Sequence, residues 1–299
     1  MQSYLSNLVH DIGAYKIRPE DPLVTKYGFL FPDFIDFDCI LSHPSTRESV
    51  KNNFLASVSF VVVDKYHFVA TSDEPHDVAV GYGLASQMSA GFAIVRQGLD
   101  GSYSLHGLDK KSVEGKIFQP VSAFTTSGIT ADEVAACIET RGGIIHHHMT
   151  VFDRNLLAKD TLSSRQSLTD RRRHNAIELI PLCAMDNDFY NTVLNKEYDK
   201  RQLDAIQTYT KDPTVWAENF LLNNPAFVKR RLTQSVKNGK IVDSSIVNTF
   251  GLAYILTQHP KLMDMYTPLL QKWLQELAVV DEVPVVGYYP KVMVRMKSI

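Results

Sequence analysis

The chain has 299 residues, of which 44% are hydrophobic and 21% are charged, so global disorder is excluded and one large or two ordinary domains are expected. The 31 basic and 33 acidic residues give a net charge of -2. This balance gives no sequence-wide attraction to nucleic acid or to an anionic membrane.

The cysteines and the apolar runs bear on the compartment. Cys39, Cys137 and Cys183 are far apart and odd in number, which predicts buried free thiols rather than disulfides or a metal site. Asp11 precedes any long apolar run, and every run is shorter than the roughly 20 residues that span a bilayer. We therefore expect no signal peptide, no membrane partner and a cytoplasmic, reducing location.

Short apolar strands alternate with helices along the first part of the chain. Strands are predicted over residues 34–37, 59–63, 67–70, 92–95, 118–124 and 144–152. Helices are predicted over residues 2–16, 45–58, 76–90 and 130–140. Residues 17–32 are expected to be irregular, and residues 97–114 to form a long polar loop. This alternation is typical of the α/β class, with a mostly parallel sheet flanked by helices.

The character of the sequence changes near Asn195. Apolar faces at helical spacing centre on Trp216, Phe250 and Trp273, and prolines separate the segments, which predicts a mainly helical region. We therefore divide the chain into residues 1–195 and residues 196–299. The helical faces need cover from the first part or from a second subunit, and residues 283–289 are expected to form a strand or a hairpin.

One junction in the first part suggests an anion site. The strand over residues 118–124 leads into a turn made of Thr125, Thr126, Ser127 and Gly128, and a helix follows. Hydroxyls and backbone N–H groups converge at such a turn, and the helix dipole favours negative charge, so a phosphate is the natural guest. The same turn is also an ordinary helix start, and both readings stay open.

Several segments, in order, resemble the orotate branch of the type I phosphoribosyltransferases. The similarity covers residues 26–28, 31–36, 42–44, 69–76, 92–96, 106–107, 113–115, 121–128 and 151–154. In that family, residues 121–128 would be the loop for the 5-phosphate of phosphoribosyl pyrophosphate. The pyrophosphate loop would be Thr71, Ser72, Asp73 and Glu74. The resemblance implies a five-stranded, mostly parallel sheet with a small N-terminal hood, a homodimer, and Mg²⁺ as the only cofactor if the protein is active.

The departures from the family concern charge. The acidic pair that would contact the ribose is replaced by residues 121–123, which are uncharged. Gln97 and Ser104 stand where the family has basic residues that neutralise the departing pyrophosphate. Asp73 and Glu74 add negative charge in the pyrophosphate loop, and the alternative interpretation is that they are acidic residues at a helix start.

The remaining candidates fall into two groups. Lys26 and Arg96 match phosphate-binding residues of the family. Lys110, Lys111 and His106 are catalytic candidates, and the alternative interpretation is that they are solvated loop residues without a function. On a strand, His146 and His148 would share a face but lack a third ligand, so no metal site is predicted. The basic run over residues 171–174 is interpreted as a solvated surface rather than a nucleic-acid site.

Three functions are compatible with these residues. We favour a phosphoribosyltransferase-like protein with little or no ordinary transferase activity. Such a protein would bind a phosphorylated ligand, for example a nucleotide or a phosphosugar, or it would act as an interaction module. The alternative is an active orotate phosphoribosyltransferase in which Lys110 or Lys111 supplies the missing charge. A third is another enzyme that acts on a nucleoside or phosphosugar through Asp73 and Glu74.

Overall fold

The structure is a computed structural model that describes residues 2–61, 66–98, 102–126, 128–154, 178–194, 198–237, 240–241 and 246–280. The predictions made for Val62, Val63, Ser127 and residues 171–174 and 283–289 lie outside these ranges. Among the described helices, none combines the length and apolar character needed to cross a membrane.

A small hood precedes the central sheet. Its elements are α1 (Gln2–Asp11), β1 (Tyr15–Ile17), β2 (Leu23–Val24), β3 (Leu30–Phe31), β4 (Asp33–Ile35) and α2 (Phe37–Ser42). Strand β1 pairs with β4 and β2 with β3, both antiparallel. The helix predicted over residues 2–16 ends at Asp11, because Gly13 takes φ +68° and turns the chain into β1.

The central sheet has seven strands. They are β5 (Phe68–Ser72), β6 (Gly91–Gln97), β7 (Tyr103–His106), β8 (Ile117–Thr125), β9 (Ile144–Ile145), β10 (His147–Asp153) and β11 (Glu178–Ala184). Their order is β11-β10-β8-β5-β6-β7, with β9 paired to β8. Every pairing is parallel except β6 with β7, which confirms the mostly parallel sheet.

Helices cover both faces of the sheet, so its central strands are buried on both sides. The helices here are α3 (Pro44–Val61), α4 (Pro75–Met88), α5 (Lys110–Val113), α6 (Ile129–Glu139) and α7 (Asn187–Leu194). Helices α1, α3, α4 and α7 share one apolar core with Val69 and Met149 of the sheet. Helix α6 packs on the other face, against Ala70 and Ala93. All seven residues of β10 are buried, as expected for the inside of a parallel sheet.

Five further expectations about elements need correction. The stretch over residues 17–32, predicted to be irregular, contains β2 and β3. The strand predicted over residues 59–63 is wrong for residues 59–61, which belong to α3. The loop predicted over residues 97–114 contains β7 and α5. The predicted strand over residues 144–152 is two strands, β9 and β10, because a bend at His146 divides them. The sheet has seven strands rather than five, since β7, β9 and β11 were not predicted as separate strands.

The C-terminal part is mainly helical, as predicted. Its elements are α8 (Lys200–Lys211), α9 (Pro213–Asn223), α10 (Pro225–Ser235), β12 (Val236–Lys237), β13 (Lys240–Ile241), α11 (Ile246–Gln258) and α12 (Pro260–Leu277). Helix starts are well specified: Asp199 forms a capping box with Gln202, and proline occupies the first turn of α9, α10 and α12.

The C-terminal helices pack against the hood rather than forming a separate core. Val24 and Phe31 of the hood belong to the same apolar cluster as Phe250 and Trp273. At the surface, Asp21 of the hood accepts hydrogen bonds from two arginines of α10, at 2.6 and 3.1 Å. The hood is therefore held between the sheet on one side and the C-terminal helices on the other.

A buried ion pair fixes the hood to the sheet. Arg154, directly after β10, donates to Asp33 Oδ1 of β4 at 2.7 Å, and both side chains are almost fully buried. Tyr15 donates to the other carboxylate oxygen of Asp33 at 2.9 Å, and the Arg154 guanidinium lies 4.0 Å from the centre of the Phe31 ring. Breaking such a pair leaves an uncompensated buried charge, so the hood position is strongly specified.

Candidate functional site

A cleft of about 310 Å³ lies between the hood and the carboxyl ends of β5 and β8. Crevices at this edge of parallel sheets are the usual ligand sites of α/β folds. The walls combine hood, sheet and helix residues: Leu23, Val24, Thr25, Lys26, Tyr27, Ile35, Phe37, Glu74, His76, Asp77, Ser122, Ala123, Phe124, Thr125, Thr126, Gly128, Thr130, Ala131 and Asn248.

The turn after β8 forms the floor of the cleft. Thr125 ends β8, Thr126 lies in the turn, and Gly128 takes the N-cap position of α6 with φ +75°. No side chain caps α6 at Gly128. The backbone N–H groups of the first turn of α6 therefore have no side-chain acceptor at this end of the helix. The structure therefore brings Thr125, Thr126 and Gly128 together at the start of α6, in the wall of the cleft.

Hydroxyl groups extend this floor along β8. Ser122 Oγ lies 3.1 Å from Thr125 Oγ1 and 3.0 Å from His148 Nε2 on the neighbouring strand β10. His147 instead reaches Tyr66 OH at 2.8 Å. The two buried histidines are thus engaged by hydroxyls, and no group of three or more metal-ligating side chains occurs within the described residues.

The first turn of α4, which follows β5, carries a buried carboxylic acid that has no counterpart among the predicted site residues. Asp77 accepts from Ser72 Oγ at 2.6 Å and from the backbone N–H of Ala123 at 2.7 Å. Burial raises the pKa of Asp77 to about 6, although the two donors oppose this change. The burial of Asp77 could have been predicted from the sequence, since Asp77 shares a helical face with the apolar Val80 and Leu84, which are also buried.

The pyrophosphate-loop candidates differ in where their side chains go. Thr71 is buried beneath α4, Ser72 is buried against Asp77, and Asp73 is exposed. Glu74 occupies the N-cap position of α4, so it is an acidic residue at a helix start, although its side chain makes no capping hydrogen bond. Ser72 Oγ accepts from the Glu74 N–H instead, at 3.2 Å.

Lys26 and Glu74 face each other across the cleft. Lys26 Nζ lies 3.3 Å from Glu74 Oε1, with the lysine partly buried and the carboxylate exposed. Among the described residues that line the cleft, Lys26 is the only lysine or arginine. The cationic group that the cleft offers to an anion is therefore already paired with a carboxylate of the pyrophosphate-loop equivalent.

The remaining candidates do not line the cleft. Arg96 and His106 are exposed, and His106 Nε2 lies 3.1 Å from Ser104 Oγ. Lys110 and Lys111 begin α5, which ends just before β8 starts. Since β8 lines the cleft only from Ser122 onward, α5 lies beyond the end of β8 that is farther from the cleft.

Two other contacts at the cleft were missed by sequence reasoning. Tyr27 OH of the hood lies 3.0 Å from Thr130 Oγ1 and donates to Glu133 Oε2 of α6 at 3.0 Å, and Tyr103 also donates to that carboxylate. Asn248 of α11 reaches the cleft wall from the C-terminal part. Neither has a local sequence signal, because both depend on packing between distant segments.

Comparison with known proteins finds relatives at low sequence identity. No family model matches the chain. Orotate phosphoribosyltransferase of Streptococcus pyogenes serotype M5 (strain Manfredo) is 24% identical over 154 residues, which cover 51% of this chain and 72% of that protein. Orotate phosphoribosyltransferase of Streptococcus thermophilus is likewise 24% identical over 154 residues.

A solved structure supports the fold. Leishmania donovani UMP synthase superposes with a TM-score of 0.52 at 12% sequence identity. The match covers 70% of this chain and 42% of that one, so the chain spans less than half the length of that protein. The chain is thus similar in sequence to orotate phosphoribosyltransferases and has a fold like that of the matched part of UMP synthase.

Proposed function

We propose that the chain binds a phosphorylated ligand, a nucleotide or a phosphosugar, in the cleft and has little or no ordinary transferase activity. The observation that carries this proposal is the ion pair between Lys26 and Glu74, 3.3 Å apart. A departing pyrophosphate needs concentrated positive charge. The described cleft residues provide one lysine for it, and that lysine is already paired with Glu74.

Binding a single phosphate requires less positive charge than stabilising a departing pyrophosphate. The turn formed by Thr125, Thr126 and Gly128 offers hydroxyls, backbone N–H groups and the positive end of the α6 dipole, which suffice for a monophosphate. A homodimer, which the family resemblance implies, stays a prediction and is not needed for this binding mode.

The cleft does not fit a Mg²⁺ ion held by protein carboxylates. Its two carboxylates are Glu74, paired with Lys26, and Asp77, whose oxygens accept from Ser72 and from the Ala123 N–H. Mg²⁺ in phosphate sites is usually held by one or two ionised carboxylates together with the phosphates. We therefore assign no step to the metal.

Calorimetry and a turnover assay test the proposal together. We expect ribose 5-phosphate to bind, and Thr126→Glu to weaken it at least tenfold, because a carboxylate at the turn repels the phosphate. The matched control is Thr208→Glu, on the exposed side of α8, which should bind like the native protein. Absence of binding to the native protein would contradict the phosphate site.

The turnover assay uses orotate, phosphoribosyl pyrophosphate and Mg²⁺. We expect a rate far below the ordinary enzyme range of ~1–10³ per second. A rate inside that range would show that the chain is an active orotate phosphoribosyltransferase. In that case the missing charge must come from groups outside the described cleft.

A further inference from the structure

Asn248 is the C-terminal part's contribution to the cleft wall. It lies near the start of α11, outside the residues that carry the family resemblance, yet it lines the same cleft as Lys26 and Thr126. Two features of the structure bear on its role: the contact that holds α11 against the hood, and the hydrogen bonding of the Asn248 amide.

The backbone of helix α11 packs directly against the backbone of the hood at Gly251. At Gly251 a Cβ atom would lie 1.9 Å from the carbonyl oxygen of Thr25 and 3.0 Å from the backbone nitrogen of Gly28, so only glycine permits this approach. Asn248 is three residues before Gly251 and therefore on the same helical face. The hood contact thus fixes the direction in which Asn248 meets the cleft.

Asn248 also differs from the other polar side chains on the hood side of the cleft. Thr25 Oγ1 accepts from the Phe29 N–H at 3.2 Å, Thr130 is bonded to Tyr27, and Lys26 is paired with Glu74. The half-buried amide of Asn248 makes no hydrogen bond with any residue that the structure describes. Its two donors and its acceptor remain available to a ligand.

The surroundings of Asn248 suit a flat heterocycle. The same cleft is walled by Leu23, Val24, Ile35, Phe37 and Phe124, which provide apolar and aromatic surface. A carboxamide presents a donor and an acceptor side by side, which is the complement of a nucleobase edge that carries neighbouring acceptor and donor groups. A phosphosugar without a base would use the turn before α6 and leave this amide unsatisfied.

We infer that Asn248 is a specificity-determining residue, whose amide reads the heterocycle of a nucleoside monophosphate with its phosphate at the turn before α6. The inference rests on the proposed function and deepens it by naming the ligand class. It also gives the C-terminal helices a role in the site, since α11 completes the cleft wall.

Calorimetric titration of the full chain tests the inference with UMP, CMP, AMP, GMP and ribose 5-phosphate as probes. In the native protein, at least one nucleotide should bind ten or more times tighter than ribose 5-phosphate. Asn248→Ala should weaken that nucleotide about tenfold and change ribose 5-phosphate less than twofold. Asn219→Ala, an exposed asparagine on α9, is the matched control and should change neither.

The outcomes separate this inference from the proposed function. If ribose 5-phosphate binds as tightly as all four nucleotides, or Asn248→Ala weakens both kinds of ligand equally, the reading of a base by Asn248 is overturned and the phosphate site stands. If the native protein binds none of the five, the proposed function itself fails. Asn248→Leu keeps roughly the size of the side chain without adding charge, so a similar selective loss in that variant excludes misfolding as the cause.

Discussion

Asp77 is a carboxylic acid held at the edge of the cleft, and burial raises its pKa from 3.8 to about 6. Because the native pKa lies above the unfolded one, the native state holds the proton more tightly. The free energy of unfolding therefore falls as pH rises from about 4 to about 6 and stays at its lower value above that range. At 1.36 kcal/mol per pH unit, the loss is on the order of 3 kcal/mol.

Asp77→Asn should remove this pH dependence, since an amide does not titrate. Its one oxygen can accept from the Ala123 N–H, and its NH2 group can donate to Ser72 Oγ. Urea unfolding near pH 4 and near pH 7 measures the pH dependence. We expect the stability of the native protein relative to the variant to drop by roughly 3 kcal/mol between the two. Asp73→Asn, at an exposed neighbouring carboxylate, is the control and should follow the native profile. A native-like profile in Asp77→Asn would contradict the assignment.

Residues with a local signal were predictable, and those placed by distant packing were not. Thr125, Thr126 and Gly128 follow one another in a strand–turn–helix pattern, so the sequence alone predicts their convergence, and the structure places them in the cleft wall. Lys110 begins α5, in a stretch that the sequence predicted to be a loop without β7 or α5, so its position relative to the cleft was not predictable. Asn248 reaches the cleft only because α11 docks on the hood.

At the scale of elements, the contact between α11 and the hood depends on one missing side chain. Gly251→Ala gains about 1 kcal/mol of helix propensity but forces backbone apart at Thr25, and such overpacking costs roughly 1–3 kcal/mol or more. We expect a lower urea midpoint. Gly83→Ala in α4 is the matched control, because its Cβ would meet only Lys51 Cδ at 4.0 Å, and it should raise the midpoint. Equal shifts in the two variants would contradict the close contact.

Two elements show why the periodicity of apolar residues was insufficient to predict the secondary structure. Strand β11 carries Pro181, which argues against a central strand, and the structure places it at the sheet edge where proline is tolerated. Residues 59–61 are apolar and β-branched in part, yet they continue α3. A short apolar run does not distinguish a buried strand from the end of a helix, so only the tertiary context decides.

At the scale of the whole molecule, composition divides the chain near residue 195, but the apolar core does not. The cluster that contains Trp216 and Trp273 also contains Val24, Phe29 and Phe31 of the hood. The hood is in turn tied to the sheet by a buried ion pair. Removing the C-terminal helices would expose these hood side chains to water, at roughly 1.5–3 kcal/mol for each large one. The boundary at 195 is therefore expected to separate two compositions within one cooperative unit.

The chain carries probes that test this cooperativity. Both of its two tryptophans lie in the C-terminal helices, whereas the buried Cys137 and Cys183 lie in α6 and β11. In a Cys39→Ser background only the two buried thiols remain to react. We expect the urea midpoint from tryptophan fluorescence to coincide with that from pulsed thiol labelling, because loss of the shared core unfolds hood and sheet together. A tryptophan transition complete before the thiols react would instead show two domains that unfold separately, and the hood would then owe its position to the sheet alone.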